Sequence, residues 1–368
     1  MRWWNASAYY GVSLAEALNQ SGRQSIVGGR KESPPLQKAE AWRLPTFSRI
    51  NLESLKPGNV FSNLQQLKSF VSEQQISLIN AHRAEDAIFA LLVRRRLGNT
   101  VPVVRTVSDV RPPKNRAMNK YLHKNLDYLI FSCKASYDRY QSVWPIFEHR
   151  RKIIYSAVNT NAFRPPETYP ELRQKLGFSA KNIVIGLIAR LDPVKDHRTF
   201  LRAAAITAKK APHARFLIAG ESCNVTHEAL KKMATSLQIF DKIVFLERDD
   251  AIDIRKLIGA LDIGVVASKG SEVICRIAVE YMAMGKPQVV TNVNVLPEIV
   301  DSGQNGFVIP AENPEAMAAA LLQLANDELL RKKMGNCARR YAETRFSYPV
   351  FAEKTAEVYR QLSRSDTS

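Results

Sequence analysis

Cysteine is scarce in this chain: there are four among 368 residues, Cys133, Cys223, Cys275 and Cys337, with no paired spacing. That excludes a disulfide framework or a cysteine-rich metal site, and the four read as reduced and mostly packed. Long apolar runs are missing as well. No stretch of about 18 apolar residues is present to span a bilayer, and the opening Met1-Arg2-Trp3-Trp4-Asn5 is too polar for a signal peptide. The expected location is therefore the cytoplasm. Acids are few beside bases, 35 Asp+Glu against 53 Lys+Arg, for a net charge of +18. Residues 1–165 hold 25 of the bases and 11 of the acids, or +14, which leaves +4 for the remainder. Such a field attracts anionic lipid, nucleic acid or a phosphorylated substrate. No nucleic-acid-binding module accompanies it, Arg94-Arg95-Arg96 reads as the polar end of a helix, and a merely solvated basic face stays equally open.

What is present is ordinary globular material, 45% apolar and 24% charged, long enough for two α/β domains. Short β-branched runs at Ser25–Gly28, Ile76–Asn80, Val101–Val107, Tyr128–Cys133 and Lys152–Tyr155 alternate with helical patterns such as Val12–Gln20, Leu64–Glu73 and Ala87–Leu97. This alternation predicts parallel strands joined by crossover helices. Prolines at 165, 166 and 170 interrupt it and make Asn159–Pro170 the expected linker. A second series has strand patterns at Ile183–Ile188, Arg215–Ala219, Lys242–Leu246, Ile263–Val266, Gln288–Thr291 and Phe307–Ile309. The expected fold is α/β, with two doubly wound Rossmann-like domains, 1–160 and 161–348, facing across a cleft. Residues 349–368 supply a last amphipathic helix over Pro349–Leu362, packing back on the first domain, and a polar tail.

The densest chemistry runs from Gly270 through Ser271, Glu272 and Glu280 to Gly285-Lys286-Pro287, and on to Leu296-Pro297-Glu298-Ile299-Val300. If one helix carried Glu272 and Glu280, the eight residues would set them about 12 Å apart and about 80° around the axis, so one long ligand would touch both. Carboxylates accept hydrogen bonds from paired hydroxyls, and a nucleotide sugar carries hydroxyls at both ends. The plain alternative is an amphipathic helix with solvated glutamates, closed by Gly285. A second segment, Ile185 to Asp196, places Arg190 and Lys195 in the loop after a buried strand. A fixed guanidinium fork and a mobile ammonium suit a departing diphosphate, although such loops also carry cations for water. In Ala219-Gly220-Glu221-Ser222, Gly220 is either a backbone contact or a turn glycine. Asp249-Asp250 reads as helix capping rather than a metal pair.

Together these segments resemble the family 4 retaining glycosyltransferases of the GT-B fold. The stretch Ala189-Arg190-Leu191-Asp192-Pro193-Val194-Lys195-Asp196 is similar to that family's Gly-Arg-Leu-x-Pro-x-Lys-Gly pattern, with Ala189 and Asp196 at its glycine positions. The resemblance implies that Glu272 holds the donor sugar near its anomeric carbon and that Glu280 grips the ribose. It implies that Ser271, Val273 and Ile274 offer backbone amides, that Gly220 and Glu221 lie near the nucleotide, and that no metal or other cofactor is needed. In the amino-terminal half, Asn80-Ala81-His82-Arg83 is similar to the family's histidine-bearing acceptor-side loop, which makes His82 and Arg83 candidates there. Ser108 stands where many relatives have a histidine, leaving Asp109 and Arg111 as local candidates. Ala157 to Phe163 resembles the signature before the interdomain linker, with Asn159 in place of its acid.

The expected activity is retaining transfer of a sugar from a UDP, GDP or ADP sugar to a glycan or lipid-linked acceptor, in lipopolysaccharide or other cell-envelope polysaccharide synthesis. Peripheral contact with an anionic inner membrane face fits the basic half; nucleic acid is not an expected partner. Two other readings stay open, a nucleotide-sugar epimerase of the same fold and a non-catalytic nucleotide-sugar-binding protein. The family places a strand before the segment that corresponds to Asn5–Val12. Only four residues precede Asn5 here, so that first strand is expected to be missing, through a start assigned too far downstream or a truncated clone.

Overall fold

The computed structural model describes residues 5–50, 57–165, 170–247 and 252–364. Asp249, Asp250 and residues 166–169 of the linker lie outside them, as do residues 1–4. The chain divides into two compact units, Met1–Ala157 with Tyr348–Ser368, and Val158–Ser347.

In the first unit, β1 (Val27–Gly28) pairs in parallel with β2 (Thr46–Phe47). A separate parallel sheet has the order β3 (Ile79–Ala81), β4 (Val103–Val107), β5 (Tyr128–Phe131) and β6 (Arg151–Ile153). β5 is buried at every position, as a strand covered by helices on both faces must be. The helix Ala6–Gln20 begins at Asn5, whose side chain accepts from the Ala8 amide, and buries Tyr10 completely. The Tyr10 hydroxyl donates to the Ile154 carbonyl at 2.8 Å and its ring meets Phe351 edge-on at 4.9 Å. Phe351 belongs to the helix Tyr348–Arg364, tied to this unit also by Tyr348 to Glu16 and Asn80 to Tyr359, each 2.8 Å.

The second unit is one six-stranded parallel sheet of β7 (Ile183–Ile188), β8 (Ala214–Ala219), β9 (Ile243–Leu246), β10 (Ile263–Val266), β11 (Gln288–Thr291) and β12 (Gly306–Ile309). Its order is β12-β11-β10-β7-β8-β9, so the winding reverses between β7 and β10, the place where open α/β sheets bind ligands beyond the strands' carboxyl ends. Gly186 and Gly264 face each other across that pair. A Cβ at Gly186 would lie 2.4 Å from Leu261, and one at Gly264 2.4 Å from the Tyr281 ring. Gly264 thus admits Tyr281 of the helix Arg276–Ala283, and Gly186 admits Leu261, at the reversal point. The Tyr281 hydroxyl fixes the same contact, donating to the Gly186 carbonyl and accepting from the Ile188 amide, both at 3.3 Å.

Candidate active site

The loop after β7 opens the site. Arg190 is exposed and pairs with Asp192 at 3.3 Å. Asp192 also accepts from the Val194 amide and from Asn224, and these bonds keep its carboxyl below the ordinary range. Asp196 takes φ 46 and ψ 52, the left-handed conformation a glycine would adopt, and its carboxylate accepts from the Thr199 amide to cap the helix His197–Lys210. Aspartate tolerates that conformation better than most residues, so the departure from glycine leaves the turn intact. At position 189 the carbonyl is what matters: a Cβ on Gly220 would sit 1.9 Å from the Ala189 oxygen. Gly220 therefore serves close backbone approach between the loops after β7 and β8, without a positive φ. Glu221 is exposed, and its carbonyl accepts from the Leu191 amide at 2.9 Å. His227 reaches the Gly220 carbonyl at 2.9 Å. His197, buried at 2% exposure, has its pKa lowered to about 4 by burial.

Glu272 and Glu280 do not share a helix. Ser271 turns the chain at φ 62, and the helix starts only at Arg276, so Glu272 stands in the preceding loop and Glu280 within the helix. Neither is solvated: each is 3% exposed. Glu272 Oε1 accepts from the Ser268 hydroxyl at 2.5 Å and from Lys195 Nζ. Burial is the largest influence on Lys195 and would lower its pKa, but the charge of Glu272, the neighbouring Cys275 and the hydrogen bond to Glu272 together hold the ammonium above its ordinary value. Its neighbour Cys275 is a buried thiol, pushed up by burial and then by Glu272. A cavity of about 20 Å³, room for one water-sized group, opens beside Lys195, Ser268 and Glu272 at the ends of β7 and β10. The Glu272 carbonyl accepts from the Val295 amide at 3.1 Å, joining this loop to Leu296-Pro297-Glu298. Glu280 Oε1 lies 3.0 Å from Arg276 Nε, whereas Oε2 is enclosed with no partner among the described residues. Burial pushes the Glu280 carboxyl up, only partly opposed by Arg276. Ile274 is buried, and Gly285, at φ +65, closes the helix with the Lys286 amide bonded to the Tyr281 carbonyl.

In the first unit His82 ends β3 against Gly11 and Tyr10; burial lowers its pKa to about 4, so it is neutral near pH 7. Arg111 grips Asp109 through Nε and Nη2, at 3.0 and 2.7 Å. That grip overrides burial and holds Asp109 below its ordinary pKa, which keeps it ionised. Arg83 lies 3.4 Å from Glu85. Three further features bear on the residue pattern. The cysteines are mostly packed, Cys133 and Cys275 buried and Cys337 partly so, while Cys223 is exposed. Arg94, Arg95 and Arg96 do form the last turn of the helix Ala84–Arg96, and within it Arg94 is largely buried, paired with Asp127 at 2.6 Å. The strand β2 escapes a propensity reading because it is two residues long and follows Pro45. The sequence reading also missed Ser268 and Arg276, the direct partners of the two glutamates. For Arg276 there was a signal, its i,i+4 spacing to Glu280.

Among the described residues no cluster of three or more His, Cys, Asp or Glu is placed to hold a metal, and no helix is long and apolar enough to cross a membrane.

Residues 168–341 match the family described as glycosyl transferases group 1. Spore coat protein SA of Bacillus subtilis is 28% identical over 229 residues, 59% of this chain and 60% of that protein, so the match spans under two thirds of that relative. The putative glycosyltransferase EpsD of Bacillus subtilis is 27% identical over 315 residues, 82% of this chain and 81% of that one. The crystal structure of Anabaena Alr3699/HepE in complex with UDP superposes with a TM-score of 0.81 over 98% of both chains at 20% identity. At that identity the likeness concerns the fold: two α/β units with parallel sheets, as in GT-B glycosyltransferases.

Proposed function

With its second unit matching glycosyl transferases group 1, we propose that this chain transfers a sugar from a nucleotide diphosphate sugar to a hydroxyl acceptor, with retention of configuration. The observation that carries the reading is the pair of buried carboxylates where the second sheet reverses, one of them with an unpartnered oxygen. An enclosed acceptor oxygen calls for a donor, and the vicinal hydroxyls of a ribose supply two at Glu280. Lys195 and Arg190 meet the diphosphate, the first as a point charge released from Glu272 and the second as a fork. Glu272 then accepts from hydroxyls of the transferred sugar. The bond from the anomeric carbon to the diphosphate oxygen breaks as the bond to the acceptor oxygen forms on the same face, and the acceptor proton passes to the departing diphosphate. The two cations stabilise the charge that develops there. His82, neutral near pH 7, Asp109 and Arg83 belong to the acceptor side.

UDP is the first donor base to test, because the structural neighbour holds UDP. The acceptor is proposed to be a glycan or lipid-linked glycan of the cell envelope, met in the cytoplasm at an anionic membrane face. Incubation with UDP-glucose, UDP-galactose and UDP-N-acetylglucosamine and a panel of glycan acceptors, read by NMR of the anomeric proton, tests this. An α-linked product dependent on Lys195 supports it. An inverted product overturns retention, and a free epimerised sugar without acceptor overturns transfer.

A further inference from the structure

Arg105 is out of place in its strand. It is the third residue of β4, in register between Ala81, the last residue of β3, and Leu129 of β5. Side chains two apart along a strand share a face, and on that face its neighbours Val103 and Val107 are packed in an apolar cluster with Leu122, Leu129 and Tyr140. Among the described residues Arg105 makes no ion pair and no hydrogen bond. Its Nε is enclosed without a partner, yet the residue as a whole is only half-buried, and with β4 an inner strand that exposure belongs to the side chain. Burial presses its pKa below the ordinary arginine value, and the groups that oppose this supply little free charge. Tyr140 comes first among them, but burial pushes its phenol up and keeps it neutral. Glu85 lies 3.4 Å from Arg83, Asp109 is held by Arg111 at 2.7 Å, and burial pushes the Asp86 carboxyl up. A guanidinium withdrawn from water without a counter-ion is costly, and an apolar side chain would avoid that cost.

We propose that Arg105 receives an anionic group of the acceptor, a carboxylate or a phosphate. The carboxyl ends of parallel strands are where such domains hold ligands, and the residues that follow β3 and β4 there include His82, Arg83 and Asp109, the acceptor-side groups. A guanidinium fork meets either anion through two parallel N–H bonds. One fork, with Glu85 and Asp86 of the helix Ala84–Arg96 and Tyr140 of the helix Lys134–Gln141 around it, takes a single charged group and not a polyanion. The bound anion supplies the counter-charge that the fold withholds, which gives a reason to keep an arginine in an apolar row. Anion binding at Arg105 is independent of the donor site; its assignment to the acceptor rests on the transferase reading.

The test is an NMR titration of the arginine Nε–H signals of the full chain with sodium glucuronate and with glucose 1-phosphate, against sodium chloride at equal ionic strength. The Arg105 signal is identified by its loss in Arg105→Lys. It should move saturably with at least one of the two charged sugars and stay in place with glucose, and the arm that moves identifies the group. Isothermal titration with excess UDP present should then show that anion bound at least tenfold more weakly by Arg105→Lys and by Arg105→Met. A signal unmoved by both charged sugars, a movement that chloride reproduces, or an affinity unchanged in both variants overturns the proposal. The NMR titration is read on the unsubstituted chain, so it stays decisive if a variant fails to fold. If UDP fails to bind while the Arg105 signal still moves, the donor reading falls and the anion site stands.

Discussion

Replacing Glu280 with glutamine should make this protein more stable and less able to bind its nucleotide. Glu280 is 3% exposed, its carboxyl is pushed up by burial, and Oε2 has no partner among the described residues. An unsatisfied buried polar atom costs about 1–3 kcal/mol, more when charged. Glutamine keeps an acceptor for Arg276 and removes the charge, though its own amide stays partly unsatisfied, so the gain is at the low end, about 1 kcal/mol. For a unit of this size that raises the thermal midpoint by about 2–4 °C. The sign follows from linkage. A carboxyl whose folded pKa is raised contributes fully below its unfolded pKa of 4.5, and that contribution is lost as pH rises through the folded value. The advantage of the variant should therefore be present at pH 7 and fade towards pH 4. Binding moves the other way: two hydrogen bonds to a charged oxygen, about 1.5–3 kcal/mol each, correspond to at least tenfold weaker UDP affinity. Scanning calorimetry at pH 4 and pH 7, with and without UDP, measures both. A variant less stable than wild type at pH 7, or one that retains the full UDP-induced shift, refutes the reasoning.

Other perturbations follow from the same geometry. Lys195→Met strands the Glu272 carboxylate; breaking a fully buried pair costs about 3–5 kcal/mol. With Lys195 24% exposed we expect about 2–3, and chemical denaturation should show part of it restored in the double variant with Glu272→Gln. Gly220→Ala drives a methyl into the Ala189 carbonyl and should cost about 1–3 kcal/mol in the urea midpoint while weakening UDP binding. His82 and His197 are both depressed by burial to about 4 from 6.5, so the stability they contribute is present above pH 6.5 and lost as pH falls from 6.5 towards 4. NMR titration of the imidazole resonances should show both neutral at pH 6, and a midpoint near 6.5 for either contradicts its burial.

The central strands of the second unit were legible because they are continuous apolar runs largely buried on both faces, as in Ile183–Ile188 and Ile263–Val266. In the first unit the run Ser25–Gly28 marked β1, but its partner β2 was not legible, since two residues held by backbone bonds such as Val27 to Pro45 leave no side-chain pattern. Glu272, Glu280, Arg190 and Lys195 could be singled out by type and spacing. Their placement could not, because a left-handed Ser271 splits the helix that the spacing suggested. Lys195 and Glu272 are 77 positions apart and meet only because β7 and β10 are neighbours in the sheet.

The most direct test of the account is a crystal structure of the chain with UDP. The account predicts the ribose hydroxyls on Glu280 and the diphosphate oxygens on Lys195 and Arg190, with the Lys195–Glu272 contact opened. A well-ordered nucleotide elsewhere, or a Glu280 that keeps its distance from the ribose, would contradict it.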